Sequence, residues 1–253
     1  MAKEVKTRRI NWQLTFSLIG LALITASAAM GALKVRHFVS SDPQFNLSRD
    51  RADAIEIEGL KYASRAKIRR VFAADFERSI FTAPIEQRRR QLLDIDWVED
   101  ASISRLWPDR LVVRIRERKP VAFVLFHPGV LLIDSYGVLL DQPLQAQFSF
   151  PVLSGVRRQD AIESRRERVR AFLDVEQEMG YLAKDVSEID TGDVNNIRIV
   201  AQVEDRPVEL LLGDSDFGRR YQNFLNHYAE IRKRSPEVKR FDLRLEDRIT
   251  ARE

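Results

Sequence analysis

From Leu14 to Leu33 the chain runs for 20 residues without a charge, LTFSLIGLALITASAAMGAL. A helix rises 1.5 Å per residue, so this run covers about 30 Å, the thickness of a bilayer's hydrocarbon core. No later stretch of the sequence is as long and as apolar. The run predicts a single transmembrane helix over 13–33, with Trp12 at the interface and residues 1–12 as a cytoplasmic tail. Lys3, Lys6, Arg8 and Arg9 precede it, against Lys34 and Arg36 after it, which favours a cytoplasmic N-terminus and an exported bulk. A cleavable signal peptide is the competing reading, because Ala26-Ser27-Ala28 has the small-x-small form of a cleavage site. Both readings export everything beyond residue 40.

The exported part has the composition of a folded protein. Of the 253 residues 44% are hydrophobic, and the formal charge is only +4, too small an excess to demand a polyanionic partner. Cysteine is absent, which excludes disulfides, thiolate metal sites and a cysteine nucleophile. The three histidines, His37, His127 and His227, are far apart, and the sequence has no HExxH, GxSxG, phosphate-binding glycine loop or metal-spaced cluster. The reading is therefore of a non-enzymatic protein with no cofactor and no small-molecule substrate. Two arginine-rich stretches, Arg88-Arg89-Arg90 and Arg165 to Arg170, carry no aromatic stacking platform, so they read as solvated helix faces rather than a nucleic-acid surface.

Residues 34–52 mix charge, serine, Pro43 and Asn46 and read as a juxtamembrane linker. Beyond them the periodicity is that of an α+β protein in two parts. Ala54 to Glu58 alternates as a half-buried strand and stops at Gly59. Ser64 can cap a short helix carrying Ile68, Val71 and Phe72, and Thr82-Ala83-Pro84 introduces a second helix reaching about Ile95. Two strands follow, 101–105 and 111–117, joined by a turn whose Trp107-Pro108 is expected to close a core end. After Pro120 come several strands, a helix over about 160–179 and a hairpin with its turn at 204–207. A second helix then carries a stripe of Phe217, Tyr221, Phe224, Leu225, Tyr228 and Ile231. Last is a strand over 238–245, expected at a sheet edge because little chain remains to cover it.

The segment from Trp97 to Leu111, WVEDASISRLWPDRL, with Arg116-Glu117-Arg118-Lys119-Pro120-Val121-Ala122 after it, resembles the FtsQ/DivIB family of bacterial cell-division proteins. Shorter matches fall in the same order: Leu132-Ile133-Asp134 with Gly137, Pro151 to Gly155, Leu212-Gly213 and Phe241 to Leu245. The resemblance implies a POTRA domain over 53–118, built β-α-α-β-β, and a mixed or antiparallel β domain with flanking helices over 119–253. It also implies a divisome scaffold at the septal inner membrane that binds FtsB and FtsL, with links to FtsK, FtsN and the FtsW–FtsI synthase, and helps control septal wall synthesis. The family's terminal D-L-R-Y motif ends here in Leu245 instead of tyrosine.

An edge strand presents unpaired N–H and C=O groups that a partner's segment can pair with. The partner-binding candidates are accordingly Phe241, Asp242, Leu243, Arg244, Leu245 and Glu246 on the last strand. Tyr228 and Arg232, one turn apart on the preceding helix, form an adjoining wall and charged clasp. Phe241, Leu243 and Leu245 are expected on one face, with Asp242, Arg244 and Glu246 on the other. A POTRA-bearing translocation factor is the alternative, but it needs a long series of barrel strands that two amphipathic helices here interrupt.

Overall fold

The structure, a computed structural model, describes residues 12–143, 146–245 and 248–252, with the side chains of the first helix from Gly20 onward. That helix, α1, spans Trp12–Ser41 and leaves Leu21, Leu23, Ile24, Met30 and Leu33 exposed. Among the described residues no helix is long and apolar enough to cross a membrane. The apolar run of the sequence begins at Leu14, six residues before the first described side chain. Residues 34–41, expected in a linker, continue the helix, and Phe45 and Leu47 just beyond it are buried.

Contacts divide the chain into two compact units. One comprises Met1–Leu60, Ser64–Leu92 and Ala101–Ile115; the other comprises Lys61–Ala63, Leu93–Asp100 and Arg116–Glu253.

The first unit carries the expected order β1 (Ile55–Glu58), α2 (Arg65–Val71), α3 (Ile85–Leu93), β2 (Val98–Leu106) and β3 (Arg110–Glu117), of which Leu93 and residues 98–100 and 116–117 are counted with the second unit. The three strands form one sheet in the order β1-β3-β2, with β1 and β3 parallel. Strand alternation decides what is buried: Ile55 and Ile57 point inward while Glu56 and Glu58 face water, and Leu111, Val113 and Ile115 do the same on β3. Ser64 caps α2 by accepting from the Lys67 N–H at 3.3 Å. Gly59 sits at φ +82°, and a Cβ there would meet the Ile115 carbonyl oxygen at 2.1 Å, so only glycine fits this close approach.

Two expectations fail in this unit. The arginine run on α3 is not simply solvated: Arg88 makes a bidentate pair with Asp75, 3% exposed, at 2.6 and 2.9 Å, and Arg89 donates to the Ala101 carbonyl at 2.8 Å. A charge pattern cannot reveal a buried carboxylate 13 positions away. Trp107, expected to close a core, is 69% exposed.

The second unit is a nine-stranded sheet with two helices. Its strands are β4 (Pro120–Phe126), β5 (Gly129–Asp134), β6 (Leu139–Asp141), β7 (Val152–Ser154), β8 (Val186–Asp190), β9 (Ile197–Val203), β10 (Arg206–Gly213), β11 (Arg240–Leu245) and β12 (Arg248–Arg252). The spatial order is β12-β11-β10-β9-β8-β7-β4-β5-β6. Helices α4 (Ile162–Met179) and α5 (Phe217–Arg234) pack on each other and share one core with the strands. On α5 the stripe Phe217, Tyr221, Phe224 and Tyr228 is buried, and Leu225 and Ile231 flank it half-buried. Burial pushes the Tyr221 hydroxyl pKa up to about 12. On α4 the buried stripe is Val169, Phe172, Val175 and Met179; Glu176 is half-buried and its pKa is raised by desolvation.

A second small cluster in this unit holds Trp97, Leu132 and Leu140, with Tyr62 and Phe148 against the indole at 5.1 and 6.5 Å. Here the family-like motif residues act as fasteners. The Glu117 carboxylate accepts the backbone N–H groups of Lys61, Tyr62 and Ala63 at 2.7–3.0 Å. Arg118 pairs with Asp134 at 2.9 Å, and Asp134, 2% exposed, also accepts from the Tyr136 and Val138 N–H groups. The Trp97 indole donates to the Asp141 carbonyl at 2.9 Å.

Candidate functional site: the C-terminal sheet margin

The strand 240–245 is not the edge. β11 is parallel to β10 on one side, with Leu210 opposite Phe241, and antiparallel to β12 on the other, with Ala251 opposite Phe241. The sheet ends at β12, five residues that follow the acidic pair Glu246-Asp247. The alternation of Ile249, Thr250 and Ala251 is the one signal in the sequence for this strand, and the charges before it make it look like a chain end. Glu246 lies outside the described residues.

The sequence-predicted residues therefore separate into two groups. Phe241, Leu243 and Tyr228 are core. The Phe241 ring stands 5.0 Å from Phe224, which stands 5.2 Å from Tyr228. Arg232 does not clasp Tyr228's neighbourhood; it reaches the β9–β10 turn and pairs with Glu204 at 2.6 Å. Leu245, expected beside Phe241 and Leu243, is 62% exposed, because the β11–β12 register shifts between Asp242 and Leu245.

The second group fastens the margin. Asp242 accepts from the Arg244 guanidinium at 2.8 and 2.9 Å and pairs with Arg252 of β12 at 2.9 Å. One carboxylate thus ties β11 to the last strand by side chains as well as by backbone. Hydrogen bonds from Arg244, outweighing the desolvation that opposes them and aided by the Arg252 charge, hold the Asp242 carboxyl below the ordinary carboxylate range. A depressed pKa contributes stability that is complete above the unfolded value, about 4, and fades as pH falls through the lowered one. Melting temperatures of the parent and of Asp242→Asn, followed against pH, are expected to differ most above pH ~4 and to converge on acidification.

Both faces of β12 border a concavity. On the α5 side a groove of about 450 Å³ runs between Asn223, His227, Glu230, Ile231 and Arg234 of the helix and Arg248 and Ile249 of the strand. On the opposite face a polar hollow of about 340 Å³ includes Arg198, Glu209, Arg240 and Arg252. The other end of the sheet differs. β6 has three residues, and its last carbonyl is engaged by the Trp97 indole. Of the two margins, β12 is the longer and more open one, the arrangement that accepts an added strand.

The three histidines stand on three different elements: His37 on α1, His127 in the β4–β5 turn and His227 on α5. Among the described residues there is no cluster of three or more side chains suited to a metal ion.

Comparison with known proteins agrees with this architecture. The family model described as "POTRA domain, FtsQ-type" matches residues 51–118. A cell division protein FtsQ of Koribacter versatilis is 30% identical over 237 residues, covering 91% of this chain and 68% of the relative. One from Alcanivorax borkumensis is 29% identical, over 68% of this chain and 63% of its own length. Another, from Syntrophotalea carbinolica, is 24% identical over 96% of this chain and 88% of the relative. The chain belongs to the FtsQ family of bacterial cell division proteins.

Proposed function

We propose that this protein is a divisome scaffold, held in the inner membrane by residues 13–33 with its N-terminus in the cytoplasm. Its POTRA domain (53–118) and β domain (119–253) then lie outside, at the septum, and work by binding rather than catalysis. The exposed apolar surface of α1 supports the anchor: Leu21, Leu23, Ile24, Met30 and Leu33 stand exposed, and lipid is the cover that removes such a surface from water.

The partners are the bitopic division proteins FtsB and FtsL, with further links to FtsK, FtsN and the FtsW–FtsI synthase. Capture is by strand addition to the free edge of β12. A helical segment next to the added strand fits the groove lined by His227, Glu230, Ile231, Arg234 and Arg248. Tyr228, Phe241 and Leu243 hold the margin from beneath, while Asp242, Arg244 and Leu245 belong to its surface. The single observation that carries the reading is the open β12 margin in a member of a division family.

Purifying the intact protein from membranes tests it. The chain is expected to keep residues 1–28 by mass and to bring the FtsB- and FtsL-type proteins with it. A mass beginning after Ala28 would show a cleaved leader instead of an anchor, and a preparation free of small bitopic proteins would remove the scaffold reading.

A further inference from the structure

The distinctive residues of the Trp97–Arg118 stretch each have work inside the fold, with one exception. The Trp97 indole, the Arg105 guanidinium, Glu117 and Arg118 all bind other parts of the protein. Trp107 instead stands 69% exposed at the tip of the β2–β3 hairpin, next to Leu106, also exposed. Tryptophan, apolar in body with one polar N–H, suits a boundary with an apolar side and a wet side.

The position of α1 within the same unit says what that cover is. Three contacts tie the end of this helix to the loop between α2 and α3. The Ser79 hydroxyl donates to the Val39 carbonyl at 2.6 Å, the Ile80 N–H donates to the Phe45 carbonyl at 2.9 Å, and the rings of Phe38, Phe45 and Phe81 contact in series at 5.7 and 5.4 Å. Phe81 itself remains exposed. Two clamps hold the hairpin tip at this same end. Arg105 donates to the Ile80 and Ala83 carbonyls at 2.7 and 3.0 Å, and Arg51, in the segment leaving the helix, reaches Asp109 at 2.5 Å.

The apolar run ends at Leu33, and six further residues of unbroken helix lead to Val39, a rise of about 9 Å. The polar layer of a bilayer is about 5–8 Å deep on each side. The loop that binds Val39 is thus carried at the outer edge of the headgroup layer, next to the zone that tryptophan and other aromatic rings favour.

We propose that Trp107, Leu106 and Phe81 form an interfacial foot that seats this unit on the outer headgroup layer of the bilayer holding α1. The foot fixes the tilt of the unit over the membrane, so that it does not swing on its anchor. The inference rests on α1 being the membrane anchor.

The absence of cysteine makes the test direct. Single-cysteine variants of the full chain, Leu23→Cys, Leu106→Cys and Glu58→Cys, are spin-labelled in nanodiscs of phosphatidylethanolamine and phosphatidylglycerol. Collision rates with oxygen, which enriches in lipid, are compared with those of a water-soluble nickel chelate. Glu58 is the aqueous reference, because it lies at the far end of β1 from the hairpin tip. The label at 23 is expected deep in lipid and the label at 106 at headgroup level, with an oxygen-to-nickel ratio several-fold above that at 58. Adding Trp107→Ser should move the label at 106 outward while the circular dichroism of the protein stays unchanged. A label at 106 as accessible to nickel as the one at 58, with 23 still deep, overturns the foot. A label at 23 accessible to nickel overturns the anchor, and the foot with it.

Discussion

A proline placed in β12 is expected to weaken partner capture by about a hundredfold when its missing N–H is one that faces the open edge. In an antiparallel pair the opposed residues alternate between exchanging hydrogen bonds and pointing theirs away. Ala251 stands opposite Phe241 and Thr250 opposite Asp242, so one of these two neighbours donates to β11 and the other to the outside. Proline at the outward one removes a ladder donor and sets its ring where an added strand would lie. Leaving the added strand's carbonyl without its donor costs up to about 3 kcal/mol, or about two decades in Kd. Proline at the inward one loosens β12 itself and lowers the melting temperature. Thr250→Pro and Ala251→Pro, measured for Kd toward the FtsB-type partner and for thermal stability, should thus divide: one variant loses affinity at unchanged stability, and the other loses both. Two variants with parental affinity would exclude strand addition at this margin.

The second large effect is one of stability and lies at the opposite end of the sheet. Asp134→Ala is expected to destabilise the protein by about 3–5 kcal/mol, because it leaves the Arg118 guanidinium largely buried beside no counter-charge. The N–H groups of Tyr136 and Val138 lose their acceptor in the same step. Replacing both partners, Arg118→Leu with Asp134→Leu, should recover a large part of the loss, since no lone charge then remains. Denaturant unfolding of the two single variants and the double one checks this. A double variant no better than Asp134→Ala would mean that the carboxylate's two backbone bonds, rather than the ion pair, hold the β5–β6 turn.

These residues also show what a sequence can and cannot disclose. The α5 stripe was legible because a period of 3.6 residues is a local property, and Phe217, Tyr221, Phe224 and Tyr228 are buried as that period demands. The turn at 204–207 was legible for the same reason: Glu204 and Asp205, both at positive φ, connect strands two residues apart. Which strand ends a sheet is not local. Phe241 to Leu245 was readable as a strand, but its burial under β10, β12 and Phe224 depends on pairings that no pattern within 240–245 records. The arginines failed similarly. Arg88 looks solvated in a charged run, yet it is committed to a carboxylate, Asp75, that the sequence places more than a dozen residues away. Trp107 failed in the opposite sense: an apolar residue was assigned to a core, whereas the fold sets it outside.

On the proposed reading, the free backbone of β12 is where a division partner joins the sheet. Amide hydrogen exchange of the intact protein, with and without the FtsB-type partner bound, tests it most directly. New protection is expected to concentrate in 248–252, with the amides of β6 unchanged. Exchange in β12 that stays as fast in the complex as in the free protein, with protection gained on another element, would contradict it.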